Sequence, residues 1–288
     1  MLVETFEKLR PCVVALASKF ASTPAGQKPL FPTIIGTGFL VDGRGIVATN
    51  RHVIEALDQL PRHPSGKASA MAIVWTEVQE QRGGHALPIV FADVKEYWAI
   101  ARMETESPFY GEDVPDVGFV QIEASGLPAL ELAREPNALK MGLAVATAGF
   151  PLGTDPLVVY EKVTQITPLL RHGIISSLYP FPCPHPHGFT LDITIQGGVS
   201  GSPVFPEDSP RAVGMLSAFM VRASNIAIGI PSHIVSDALS QMLEANKPDF
   251  STTPTIQSIL EKSERSDQLK WETLGYGIRG QSPDESPE

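Results

Sequence analysis

The chain has 288 residues, 43% hydrophobic and 19% charged, a balance that excludes a disordered chain and suffices for a sizeable buried core. A formal net charge of −10 without any long Lys/Arg run argues against a phosphate backbone, so no nucleic acid is expected as a partner. No stretch approaches the ~20 apolar residues of a spanning helix, so no membrane partner is expected either.

Residues 2–9 read as a short helix that Pro11 ends, and Cys12-Val-Val-Ala-Leu reads as a buried strand. The N-terminal residues carry acid where an export signal places its basic stretch. Cys12 and Cys183 are too few for a disulfide scaffold. Both observations predict a cytoplasmic protein. After Pro-rich sequence to Pro32, two apolar runs, Ile35-Gly-Thr-Gly-Phe-Leu-Val and Ile46-Val-Ala-Thr, flank Asp42-Gly-Arg-Gly, the signature of a hairpin. Strands are predicted at 70–76, 88–94, 97–103 and 117–122, completing a first barrel over about 10–123.

Residues 124–140 mix Ser, Gly, Pro and charge without a period and are taken as the connection between two units. Short strands then recur at 143–148, 173–178, 190–195, 203–205, 212–218 and 227–230, a second barrel over about 140–231. Many Gly and Pro spread along the chain supply the turns that an all-β fold needs. Behind Pro231, residues Ile234, Val235, Leu239 and Leu243 stand at helical spacing, so a helix is expected over 232–246. Residues 247–288 are rich in Ser, Thr, Pro and charge and read as a partly disordered tail, with Ile256, Ile259 and Leu260 able to line one side of a short helix and Trp271 and Tyr276 as docking residues.

Three segments carry chemistry. Gly198-Val-Ser-Gly-Ser-Pro-Val sets Ser200 in tight, unhindered backbone, as a serine that attacks a carbonyl carbon needs, with the N–H groups of Gly198 and Ser200 as oxyanion donors. Thr49-Asn-Arg-His52-Val-Ile directly follows the hairpin, and a histidine is the simplest general base near neutrality. Asp116-Val-Gly-Phe-Val-Gln-Ile opens an alternating strand with an acid suited to fix an imidazole tautomer. Glu112 and Asp113 are its rivals, and Asp116 is preferred because it alone abuts the strand.

The His52, Asp116, Ser200 order, with successive members 64 and 84 positions apart, resembles the triad of the trypsin-like serine peptidases. Glu7-Lys-Leu-Arg-Pro-Cys-Val-Val, Gly36-Thr-Gly-Phe-Leu-Val, Thr49-Asn-Arg-His52-Val, Asp116-Val-Gly-Phe-Val, Asp192 and Ile195 are most similar to the HtrA/Deg-like branch. The resemblance implies two six-stranded antiparallel β-barrels with a C-terminal helix and tail, the protease domain taking residues 1–246. It implies a serine endopeptidase that needs no cofactor and acts on a protein or peptide. It also implies substrate-binding walls from Thr194, Ile195, Gln196 and Gly197, and from Ser217, Ala218 and Phe219. No wall offers a fixed charge, so a small or medium apolar P1 residue is expected.

Two departures limit the resemblance. Val199 stands where digestive trypsins have an Asp that pairs with a cleaved N-terminus, so activation is expected from folding itself or from an activator partner. The about 45 residues after the last predicted helix are fewer than a domain usually needs, so no PDZ domain is expected. Cys183-Pro-His185-Pro-His187 holds zinc-type donors, but no fourth ligand is evident and no metal is expected. A Pro-rich surface loop fits better. Two alternatives stay open: a non-catalytic binding module on the same fold, and an effector protease with one dedicated target protein in bacterial stress or defence.

Overall fold

The computed structural model describes residues 1–19, 32–60, 69–75, 79–81, 84–86, 89–101, 114–153, 158–159, 162–163, 167–180, 185–220 and 223–265. Helix α1 (Leu2–Leu9) leads into strands β1 (Val13–Ser18), β2 (Thr33–Asp42) and β3 (Ile46–Thr49), helix α2 (Arg51–Asp58), and strands β4 (Ala70–Trp75), β5 (Ile89–Ala99) and β6 (Gly118–Ile122). A second set follows: β7 (Ala144–Gly149), β8 (Leu169–Tyr179), β9 (Gly188–Leu191), β10 (Pro203–Pro206), β11 (Gly214–Met220) and β12 (Ala223–Pro231). Helices α3 (Ser232–Asn246) and α4 (Ile256–Arg265) close the described chain.

The strands form two closed antiparallel barrels, ordered β1-β2-β3-β6-β5-β4 and β7-β8-β9-β12-β11-β10. The two orders are the same path drawn twice, and closure leaves neither barrel an open edge. Every residue of β1, β3, β4 and β6 is buried, because these strands face the barrel interior on one side and packed neighbours on the other. The β2–β3 turn is closed by the Asp42 carboxylate, which accepts from the Arg44 backbone N–H at 2.9 Å and pairs with its guanidinium at 2.6 Å. Trp75 at the end of β4 stacks on Phe150 just beyond β7, with ring centroids 5.2 Å apart, joining the two barrels through buried aromatic surface.

Three local expectations change. Residues 88–94 and 97–103 read as two strands, but β5 is one strand, with a register shift between Val94 and Glu96. A bulge absorbs the interruption that Lys95 and Glu96 make in the apolar alternation. The strand predicted at 190–195 leaves the ladder after Leu191. Alternation persists beyond it, with Ile193 and Ile195 buried and Asp192, Thr194 and Gln196 exposed.

The first part of the expected tail is ordered. The carbonyl of Asp249 accepts from Lys95 and Gln121, Arg44 lies 4.3 Å over the Phe250 ring, and Ser125 exchanges backbone bonds with Pro254 and Ile256. This strap ties the stretch before α4 to the first barrel. Residues 266–288, with Trp271 and Tyr276, lie outside the described residues.

His233, in the first turn of α3, has its imidazole pushed down to about 4 by burial and by the nearby His185 and His187. An unfolded imidazole takes its proton near ~6.5, so from there down to about 4 the unfolded state binds a proton that the native state refuses. Stability therefore falls with pH across that window. His233→Gln is expected to flatten this fall, read as a smaller loss of Tm between pH 7 and 4.5 than in the wild type.

Candidate active site

Strand β3 delivers the chain into α2, so the first turn of that helix stands at the barrel rim with its orphan N–H groups unpaired by the helix itself. Asp116, just before β6, fills that gap. Its Oδ1 accepts the His52 backbone N–H at 3.0 Å, and its Oδ2 lies 2.7 Å from His52 Nδ1. β3 and β6 are paired from Ile46↔Gln121 to Thr49↔Gly118, and this register brings the two residues together across 64 positions of sequence. Val53, Ile54 and Leu57 bury one face of α2 and fix its rotation.

Two further side chains complete the acid's surroundings. Ser217 Oγ donates to Asp116 Oδ2 at 2.7 Å, and Asn50 Nδ2 donates to the Asp116 backbone carbonyl at 2.9 Å. Burial by itself would raise the Asp116 carboxyl. The bonds from the His52 ring, Ser217 and the His52 backbone outweigh it and hold the group below the ordinary carboxylate range. Sequence reasoning assigned Ser217 to a substrate wall and gave Asn50 no role. Only the register of distant strands reveals either contact. Glu112 and Asp113, the rival acids, lie outside the described residues.

Ser200 sits on a tight loop that enters β10. Gly201 has φ +86°, and a Cβ there would lie 2.0 Å from the Thr37 carbonyl oxygen. Gly198 has φ +96°, and its Cβ would lie 2.3 Å from the Phe150 carbonyl oxygen. Only glycine fits either position, because the loop is pressed against backbone on both sides. Among the described residues, the backbone N–H groups of Gly198 and Ser200 donate to no protein acceptor. The Ser200 hydroxyl donates to the Ser217 carbonyl at 3.3 Å, and no bond to His52 is formed among the described residues.

Thr194, Ile195, Gln196 and Gly197 form the extended run that leads into this loop, Ile195 buried and the other three exposed. Arg171 on β8, which the sequence did not single out, reaches this run and donates to the Thr194 carbonyl and to Gln196 Oε1. Ala218 and Phe219 belong to β11, paired with Ile228 and Ala227. Their side chains lie outside the description. In the Cys183–His187 segment, Cys183 also lies outside it. Among the described residues no group of three or more potential ligands is placed to hold a metal.

A family model described as "Trypsin-like peptidase domain" matches residues 36–215, a span that contains His52, Asp116 and Ser200. The chain belongs to the trypsin-like peptidase family. It is 24% identical over 211 residues to a "Probable periplasmic serine endoprotease DegP-like" of Halomonas elongata, covering 72% of this chain and 35% of that protein. A protein of the same description from Pseudomonas fulva is 25% identical over 217 residues, covering 74% of this chain and 36% of its own length. The chain thus spans about a third of these relatives. The solved "HtrA-type protease AlgW with decapeptide" superimposes with a TM-score of 0.56 at 17% identity, over 85% of this chain and 68% of that one, which shows the shared fold.

The relatives correct one expectation. Their names place them in the periplasm, so the cytoplasmic reading does not stand. It rested on two cysteines and an acidic N-terminus, and a barrel closed by hydrogen bonds and buried apolar strands needs no disulfide to hold in either compartment.

Proposed function

We propose that the chain is a serine endopeptidase that hydrolyses protein or peptide substrates through an acyl-enzyme on Ser200. The observation that carries this reading is the hydrogen-bonded set His52–Asp116–Ser217 beside a glycine-bounded serine loop with two uncommitted N–H groups. In the proposed reaction Ser200 Oγ attacks the scissile carbonyl carbon while His52 Nε2 takes its proton. Asp116 holds the proton on Nδ1 and stabilises the imidazolium. The N–H groups of Gly198 and Ser200 receive the oxyanion, His52 returns the proton to the leaving amine, and water activated by His52 releases the acid.

Thr194–Gly197 and the Ser217–Phe219 segment are the proposed pocket walls, and an apolar P1 residue is the preference they support. Arg171 directs its donors to Thr194 and Gln196. A peptide library read by mass spectrometry is expected to show cleavage after small or medium apolar residues. Cleavage after acidic residues would instead assign Arg171 to the pocket, and indiscriminate cleavage of casein would count against a single dedicated target. The proposal itself is tested with a fluorophosphonate probe at neutral pH followed by mass mapping. Modification at Ser200 supports it, and a folded protein that stays unlabelled favours the binding-module reading.

Ser217→Ala removes one of the bonds that keep Asp116 ionised. A hydrogen bond to a charged group contributes about 1.5–3 kcal/mol, so kcat is expected to fall about tenfold or more. The Asp116 carboxyl should rise toward its ordinary value, read directly by NMR titration of that carboxyl in the variant and the wild type.

A further inference from the structure

Gly197 and Gly198 are consecutive glycines, and two residues without Cβ have little of their own to stop the intervening peptide from turning over. The oxyanion donor on Gly198 depends on that peptide. In a trans peptide the C=O of one residue and the N–H of the next point in opposite directions, so whatever holds a carbonyl also aims the following N–H. The Gly197 carbonyl is held by the Leu152 N–H at 2.6 Å, which turns the Gly198 N–H away from the Phe150–Gly153 loop. The next peptide is held by a side chain. Thr37 Oγ1 donates to the Gly198 carbonyl at 2.8 Å and accepts the Phe150 N–H at 3.1 Å.

Thr37 is fully buried in β2, in the opposite barrel from Ser200. Its backbone N–H also donates to the Ser200 carbonyl at 3.0 Å, and its own carbonyl accepts from Thr49 Oγ1 at 2.7 Å. One residue thus meets Gly198, Ser200 and Phe150. Phe150 is itself anchored by its stacking on Trp75, so the clamp stands on rigid ground.

We propose that Thr37 is a positioning residue of the oxyanion hole: the Leu152 N–H holds the peptide that carries the Gly198 N–H, and the Thr37 hydroxyl holds the following peptide by the Gly198 carbonyl, so that Gly198 is pinned on both sides before substrate arrives. This rests on the peptidase reading above. The hydroxyl serves as donor and acceptor at once, a pairing that serine reproduces and valine, of nearly the same shape, does not.

The test compares Thr37→Val and Thr37→Ser with the wild type in saturation kinetics per folded molecule, alongside Tm and inhibition by a peptidyl boronate that forms a tetrahedral adduct with Ser200. Loss of a whole oxyanion donor costs about 10²–10³-fold in kcat, so a donor left in place but no longer held should cost about 10–100-fold. Thr37→Val is therefore expected to lower kcat by that factor with KM changed less than about twofold, and to weaken the boronate in proportion. Thr37→Ser is expected to recover most of both. A purely structural role would lower Tm and leave kcat per folded molecule unchanged, and that result, or failure of Ser to rescue, would overturn the proposal. Should Val prevent folding, Thr37→Ala is read in the same way. Fluorophosphonate labelling of the wild type separates the two levels: an unlabelled wild type sinks the reading of this chain as a peptidase active by itself, whereas a labelled wild type with an indifferent Thr37→Val sinks only the clamp.

Discussion

Ser200→Ala is expected to lower kcat on the order of 10⁶-fold, to abolish fluorophosphonate labelling, and to leave Tm within a few degrees of the wild type. The kinetic half follows from the proposed covalent step. Without Oγ no acyl-enzyme forms, and the residual rate is what the oxyanion donors and binding alone can supply, about 10³–10⁴ over water. The stability half follows from the geometry. The Ser200 hydroxyl makes one long bond, 3.3 Å to the Ser217 carbonyl, while the loop is held by backbone: Ser200 C=O to Thr37, Gly201 N–H to Leu216 and Ser202 N–H to Val199. An alanine at 200 keeps all three. Activity measured against a cleaved peptide together with a thermal melt decides the point, because a large loss of Tm would make Ser200 a structural residue and withdraw the attacking role.

Asp116→Asn is expected to lower kcat about 10⁴-fold with the fold retained. The two carboxylate oxygens have different tasks, and an amide cannot perform both. Oδ1 accepts from the His52 backbone N–H, a donor that the helix fixes in place, so the amide oxygen must take that position. The NH₂ group then occupies the position of Oδ2 and points a donor at His52 Nδ1. The imidazole answers by carrying its proton on Nε2, the tautomer that cannot accept the Ser200 proton. Ser217 Oγ can turn to accept from the amide, so the defect stays in the tautomer and does not spread to the packing. The check is kcat with far-UV circular dichroism. A variant that keeps wild-type kcat would show that His52 does not work as a base supported by Asp116.

Much of the architecture was legible because barrel strands write themselves into local sequence. Runs such as Ile46–Thr49 and Gly118–Ile122 are bounded by turn signals and are buried throughout. Lys95 and Glu96 misled the reading of β5, since a bulge and a strand break look alike when the partner strand is unseen. Asp192–Gln196 misled it differently: alternation records which side chains are covered, not whether the backbone has a ladder partner. The strap near Phe250 was hidden because what it offers to the Lys95 and Gln121 side chains and to the Ser125 backbone are its own backbone carbonyls and an amide, which any sequence possesses.

By itself the sequence picked out the segments to which the proposed chemistry is assigned: a serine between glycines, a histidine where a strand passes into a helix, and an acid at the head of a strand. It did so because tight turns, helix starts and strand starts demand particular residue types close together in the chain. Only the tertiary structure decided what each of those side chains touches. That Asp116 meets His52 and Ser217, that Asn50 holds the Asp116 carbonyl, and that Thr37 reaches from one barrel to Gly198 in the other depend on pairings 64 to 161 residues apart. Such contacts are set by strand register and barrel closure, which sum many small burial and hydrogen-bond terms over the whole chain and leave no mark at any single position.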